Sequence, residues 1–286
     1  MPELPEVESL VRFLAGQVVG EAVERMYPVA FHALKTYEPG VGELEGRRVG
    51  GVGRYGKFLG VEAEGLYLVM HLARAGWVRW HDEMAEGAPK GGKGPLALRV
   101  RMAGGGGFDV TEAGSQKHLA VYVVRDPREV PGIARLGPDP LDADFTEEVF
   151  AGLLRGERRQ VKGVLRDQSV IAGIGNAYSD EILHAAKMSP FKLAAAMTPD
   201  EVARLYEVLG RTLADAVERS RGLPLRDLKA EKKSGLRVHG RRGEPCPVCG
   251  DTIREVSYRD SSLQYCPTCQ TGGKPLADRR MSRLLK

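Results

Sequence analysis

Residues 1–8 read Met1-Pro2-Glu3-Leu4-Pro5-Glu6-Val7-Glu8, and the way this stretch runs into the next ten residues decides how the chain begins to fold. Pro5 suits the first turn of a helix, where its missing N–H is not needed. Leu4, Val7, Leu10, Val11 and Leu14 then recur at three- and four-residue intervals, the period of an amphipathic helix. The beginning of the chain is thus expected to be anchored rather than frayed. That matters because removal of Met1 would leave Pro2 as a secondary amine. An α-amino group titrates near pH ~8, against about 10.4 for a lysine, so a fraction of it is neutral and nucleophilic at neutral pH. Glu3 and Glu6 place two carboxylates within reach of that amine.

Downstream, from Arg47 to about Asp126, the pattern is strand-like: 57–61, 66–72, 77–80, 96–102 and 119–124, separated by Gly, Pro and acidic breaks. Several short strands with turn signals predict an antiparallel sandwich or barrel. Gly104 to Gly107 reads as a turn and 86–94 as an exposed loop. The texture changes after Pro138-Asp139-Pro140. Asp144 with Glu147 is a candidate cap for a helix carrying Phe145, Val149 and Leu153, and Thr198-Pro199-Asp200-Glu201 is a complete capping box. Behind it Val202, Leu205, Leu209, Leu213 and Val217 form a helical stripe, so residues from about 142 to 220 are predicted to be helical. Between two helical stretches, Gly173-Ile174-Gly175-Asn176 offers free backbone N–H groups and an amide at a helix start, a place that suits a phosphate.

The 286 residues suffice for two domains with real cores. The longest apolar runs are short, such as 66–72, against the ~18 residues of a membrane span, and no basic-then-apolar signal peptide opens the chain. A cytoplasmic protein is expected. Residues 221–286 hold 15 Lys/Arg against 7 Asp/Glu, an excess of +8 that leaves −4 for the rest of a chain whose net charge is +4. Such a basic segment suits a polyanion. All four cysteines lie in it, as Cys246-Pro-Val-Cys249 and Cys266-Pro-Thr-Cys269. Two such pairs, 16 residues apart, suit one tetrahedral Zn²⁺ held by four thiolates, with disulfides the alternative that a reducing compartment disfavours. Four thiolates leave no open position, so the zinc is structural.

Together these pieces resemble the formamidopyrimidine-DNA glycosylase and endonuclease VIII superfamily of base-excision repair. The resemblance spans nearly the whole chain and rests on residues 2–8, Gly53-Arg54-Tyr55-Gly56-Lys57, Asp126-Pro127-Arg128, the turn from Gly173 to Tyr178 and the cysteine module ending Cys269-Gln270. Leu4 places the chain nearer the formamidopyrimidine branch. The resemblance implies an α+β protein with an N-terminal β-sandwich (1–135), a helix-two-turn-helix domain (136–235) and a zinc finger with a basic tail (236–286). It implies a bifunctional DNA glycosylase and abasic-site lyase, nucleoid-associated in a prokaryote and monomeric, acting on double-stranded DNA with damaged bases or abasic sites and needing no cofactor beyond zinc. Pro2 would attack C1′ of the damaged nucleotide, Glu3 would move protons at the sugar, and Lys57 would serve as acid and phosphate partner in elimination. His71, Lys57 and Asn176 would grip phosphates flanking the lesion, Arg128 would meet the orphaned base, and Glu6 and Glu181 match further acidic positions of the family's active site. The alternative is a damaged-DNA-binding member with little excision, and outside repair altogether an unrelated zinc-ribbon protein; the joint presence of Pro2, Glu3 and Lys57 favours the enzyme, since binding requires none of them.

The chain also departs from the family pattern. His71-Leu72-Ala73-Arg74-Ala75-Gly76 puts Arg74 where members carry an apolar methionine wedge. After Arg128 the intercalating aromatic is replaced by the smaller Val130. The zinc-finger arginine that holds the lesion's phosphate is replaced by Ser261, with Arg259 two residues earlier as the candidate substitute. The stretch from Leu225 to Gly243 is shorter than the segment that caps 8-oxoguanine, which counts against that base as the main substrate.

Overall fold

The computed structural model describes residues 1–89, 94–258 and 261–277. Contacts divide the chain into two units, Met1–Leu136 with Ser220–Lys229, and Gly137–Arg219 with the residues from Ala230 onward.

The first unit opens with helix α1 (Leu4–Val18), which buries Leu4, Val7, Leu10, Val11, Leu14 and Val18, as the spacing predicts. Eight strands follow: β1 (Val23–Pro28), β2 (Val49–Tyr55), β3 (Phe58–Ala63), β4 (Leu66–His71), β5 (Gly76–His81), β6 (Leu96–Met102), β7 (Gly107–Glu112) and β8 (Ala120–Val124). They form two four-stranded antiparallel sheets, ordered β1-β6-β7-β5 and β2-β3-β4-β8. This is the sandwich of the expected α+β class. One apolar core joins the stripe of α1 to residues from both sheets, among them Leu59, Leu68, Met70, Leu98, Phe108 and Val121. Leu225 and Leu228 of the returning segment pack into the same core.

Three strands were not individually legible. β2 carries Gly50, Gly51 and Gly53, which dilute its alternation, and Gly60 on its partner lies against the Tyr55 ring, where a side chain would collide. β1 stands alone before a long irregular stretch. β7 starts on the last glycine of the Gly104–Gly107 turn. The 86–94 loop reading lies partly on residues 90–93, outside the described residues.

The second unit holds α2 (Glu147–Leu154), α3 (Val161–Arg166), α4 (Asn176–Ala185) and α5 (Pro199–Arg219). The capping box of α5 forms as expected: Thr198 N–H donates to Glu201 Oε2 at 2.9 Å, and Glu201 N–H to Thr198 Oγ1 at 3.3 Å. For α2 the cap is Thr146, whose hydroxyl accepts from Val149 N–H at 3.3 Å, rather than Asp144. Phe145 then precedes the helix and is buried against Phe150 and Tyr206. After α6 (Leu228–Gly235), within which the two units divide, come the hairpin β9 (Arg254–Ser257) and β10 (Ser262–Tyr265) and the short α7 (Pro267–Thr271).

Candidate nucleic-acid and metal sites

The N-terminal motif closes on itself as a capping box. Glu3 is the residue before α1, and its N–H donates to Glu6 Oε2 at 2.8 Å. Both carboxylates are buried, Glu3 at 2% and Glu6 at 3% exposure. A buried carboxylate at a helix N-terminus is held by free N–H groups and by the helix dipole. Pro2 is buried beside them while Met1 is exposed. With Met1 in place, the Pro2 nitrogen is an amide; freed, it would sit next to a fixed acid.

Lys57 lies on the two-residue loop of the β2–β3 hairpin, where Tyr55 pairs with Phe58. Gly56 opens that loop at φ 56°, a conformation that favours glycine. Lys57 is only 8% exposed, unusual for a lysine at a hairpin tip. Its neighbour is His71, which ends β4 opposite Phe58, the two rings 4.7 Å apart. Burial, and then the Lys57 charge, push the His71 pKa down to about 4. His71 is therefore a neutral imidazole at neutral pH, with one N–H to donate. The strand that leads into the Lys57 loop is tied to α1 by Arg54, whose Nε donates to Glu8 Oε2 at 2.9 Å with both side chains largely buried. Glu8 also pairs with Arg12; burial alone would raise its pKa, but the two guanidiniums win and hold it low.

Arg74 is exposed in the tight β4–β5 connection, where Gly76 N–H donates to the Leu72 carbonyl at 2.8 Å and a Cβ on Gly76 would strike that carbonyl. Arg128 is exposed on a 3-10 turn, its backbone N–H bound to Asp126 Oδ1 at 2.8 Å. Val130 does not behave as a reduced wedge. It is fully buried with Val69, Val124 and Ile133, so it supplies core packing and no stacking surface. The turn that presents Arg128 folds the next side chain inward.

In the second unit, Asn176 begins α4 at the expected helix start. Its Nδ2 donates to the Ser262 carbonyl of the β9–β10 hairpin at 2.7 Å, which uses one amide proton, and its Oδ1 is buried with no partner among the described residues. Glu181 is committed to structure. Its two oxygens accept the backbone N–H groups of Arg237, Val238 and His239 at 2.7, 3.0 and 2.8 Å. Burial raises its pKa and these three donors oppose the rise. Beside it lies a network that sequence reasoning missed. Lys162 Nζ, 4% exposed, donates to Asp180 Oδ1 at 2.6 Å and Ser179 Oγ at 2.7 Å. Asp180 Oδ2 meets His239 Nδ1 at 2.7 Å and Gln264 N–H at 3.2 Å. Arg259 lies outside the described residues.

The four cysteine sulfurs all lie within 4.8 Å of one another. Four sulfurs ~2.3 Å from one Zn²⁺ would be separated by about that much or less, so the donor set fits the ion. Gly250, at φ 77°, makes the first knuckle, with its N–H on the Cys246 carbonyl at 2.9 Å. Gln270 N–H on the Cys266 carbonyl at 3.0 Å makes the second. His184 of α4 places Nε2 3.3 Å from Cys246 Sγ, a contact of the kind that orients a metal-bound thiolate. Among the described residues no helix is long and apolar enough to cross a membrane.

Three family models match the chain in order: the formamidopyrimidine-DNA glycosylase N-terminal domain over residues 1–128, the formamidopyrimidine-DNA glycosylase H2TH domain over 136–224, and a zinc finger found in FPG and IleRS over 243–272. Formamidopyrimidine-DNA glycosylase of Symbiobacterium thermophilum is 35% identical, covering 94% of this chain and 89% of its own. An uncharacterized formamidopyrimidine-DNA glycosylase-like protein of Mycobacterium tuberculosis is 62% identical over 151 residues, 53% of this chain and 94% of its own. Among solved structures, MutM (Fpg) of Thermus thermophilus matches with TM-score 0.79 at 33% identity over 96% of this chain and 100% of its own. Lactococcus lactis Fpg in complex with DNA containing an abasic site matches with TM-score 0.82 at 26% identity over 94% and 99%. With its sandwich, its helical domain and a cysteine cluster that fits zinc, this chain belongs to the formamidopyrimidine-DNA glycosylase family.

Proposed function

We propose that the chain is a bifunctional DNA glycosylase and abasic-site lyase that removes oxidised or ring-opened bases from double-stranded DNA. The observation that carries this reading is the buried pairing at the N-terminus, where Pro2 adjoins a Glu3 fixed by its capping box with Glu6. Once Met1 is removed, the Pro2 nitrogen attacks C1′ of the damaged nucleotide, the C1′–N bond to the base breaks, and the departing base takes up the proton that the Pro2 nitrogen loses. Glu3 delivers a proton to the sugar ring oxygen, the ring opens, and the lone pair of the Pro2 nitrogen forms an iminium with C1′. A secondary amine can give only a charged iminium, which acidifies the C2′ protons. Loss of one of these expels the 3′ phosphate and cuts the strand; water then releases the enzyme.

The neutral His71 imidazole and the Lys57 ammonium suit a phosphate of the lesion strand, one as hydrogen-bond donor and the other as charge. In the second unit, the remaining amide proton of Asn176, at the start of α4, offers a further phosphate contact. Zinc held by Cys246, Cys249, Cys266 and Cys269 would play no chemical part and would fasten the module. Complexes of Lactococcus lactis Fpg with Fapy-dG DNA and with abasic-site DNA support the substrate class. With Arg74 in the wedge loop and Val130 buried, the gap left by a flipped nucleotide would be filled by a guanidinium rather than by a stacked aromatic. That arrangement favours a lesion or opposite-base preference of its own. The second reading, a binder with little excision, draws on the same two residues.

Borohydride reduction in the presence of DNA carrying an abasic site separates the two. The intact chain should yield a covalent adduct and Pro2→Gly should not. A processed, folded chain that gives no adduct would defeat the lyase mechanism.

A further inference from the structure

The chain has two tryptophans, and both line one cleft of the first unit. The cleft, about 690 Å³, lies between the C-terminal half of α1, strand β5 and the returning segment around Leu225. Pro2, Glu3 and Lys57 are not among its lining residues. Phe13 lies nine residues beyond Leu4, about 14 Å along α1, so the cleft is separate from the N-terminal cluster.

Its walls and rim differ in kind. Trp80 is held by its indole N–H, which donates to Asp82 Oδ1 at 2.8 Å, and by the Phe13 ring set edge-on at 6.2 Å. Lys229 Nζ sits 4.5 Å from the centre of the Trp77 ring. Arg79 and Arg226 complete a rim of three cations, against which Asp82 is the single acid among the described lining residues. Burial, followed by the nearby Arg79 charge, lowers the Lys229 pKa, so two like charges are held together in a partly desolvated place. An anion seated between them relieves that repulsion. The volume is that of a small-molecule site, the aromatic wall is a stacking surface, and Gln17 adds an amide for a polar edge.

We propose that this cleft binds a nucleoside phosphate, the base against Trp80 and the phosphate among Arg79, Arg226 and Lys229. The same chemistry is presented by a free nucleotide and by an unpaired nucleotide of a single strand, and the cleft is independent of the chemistry assigned to Pro2. Because both tryptophans face it, intrinsic fluorescence reports on this site. The full zinc-loaded chain is titrated with dAMP, with a short oligo(dT) strand, with deoxyadenosine, and with a tetraglutamate peptide. A saturable change with dAMP supports the proposal and names the free nucleotide as a source; a change with oligo(dT) alone supports it and names the unpaired strand. Binding should weaken about tenfold or more in a chain carrying Arg226→Ala and Lys229→Ala, the loss expected for charge-assisted hydrogen bonds. That doubly substituted chain should keep the wild-type melting transition and the borohydride adduct, which excludes misfolding and separates this site from the Pro2 chemistry. No response to dAMP or oligo(dT), an equal response to tetraglutamate, or undiminished affinity in the doubly substituted chain overturns it.

Discussion

The two units bury polar groups to different ends. In the sandwich, one large apolar core spans both sheets, and Glu3, Glu6 and Lys57 are buried without being its main fastening. In the helical unit the zinc module rests on small apolar clusters, one around Val238, Ile253 and two cysteines, another around Val256, Leu263 and Tyr265. There the fastening is polar: Lys162 and Asp180 to His239 and Gln264, Glu181 to the backbone of 237–239, and Gln270 to the Met188 carbonyl at 2.9 Å. In the zinc module, where the apolar clusters are small, buried polar groups carry the fastening. Substitution of Glu3 should therefore cost turnover, and substitution within the Lys162–Asp180 network should cost stability.

The largest effect expected is on rate. Glu3→Gln keeps the shape of the capping residue but removes its acid–base function, so base excision should slow ~10²–10⁴-fold with the melting transition nearly unchanged. Loss of folding without loss of excision rate per folded molecule would break the comparison from this side. Next is Asp180→Ala, which leaves the buried Lys162 ammonium without its carboxylate. A destabilisation of about 3–5 kcal/mol in urea unfolding is expected, centred on the second unit. Little change would mean that the polar network is dispensable.

Acid sharpens the comparison. The His71 pKa is about 4 in the folded chain and 6.5 when unconstrained, so the unfolded state binds the proton first as pH falls. The stability due to neutral His71 is complete above pH 6.5, declines as pH drops below it, and is lost by about pH 4. The full difference is up to ~3 kcal/mol. Unfolding at pH 7.5 and 4.5 should show a smaller acid loss in His71→Gln than in the parent chain. The smallest effect is at Thr198→Ala, which removes one half of the α5 capping box and should cost about 1 kcal/mol in thermal unfolding.

Legibility followed the same divide. The α1 stripe, the Thr198 box and the cysteine pairs could be read because each is local: the residues that make the feature are within a few positions of one another, or repeat a fixed spacing. Pro2, Glu3, Lys57 and His71 are candidates through the family's motifs, and the burial of Lys57 was not foreseen, since a lysine on a hairpin loop ordinarily faces water. The Lys162–Asp180–His239 network was invisible because its members come from three separate segments, and each charge alone reads as solvated surface. Val130 misled in the opposite sense: it stands where the family places an intercalating aromatic, yet after the 3-10 turn from Pro127 to Glu129 it packs into the core. Strands β1, β2 and β7 were diluted by glycine or isolation, and pairing across the sheets rather than local propensity fixes them.

Helix α4 is ten residues long, about 15 Å, and its two ends meet different parts of the same module. Near one end His184 touches a cysteine sulfur; at the other Asn176 holds the carbonyl of Ser262 in the hairpin. Loss of the metal would therefore reach the proposed phosphate contact by two routes, the helix and the hairpin. Removing the metal with a chelator should therefore loosen both ends of α4 at once, so DNA affinity and the stability of the module should fall together.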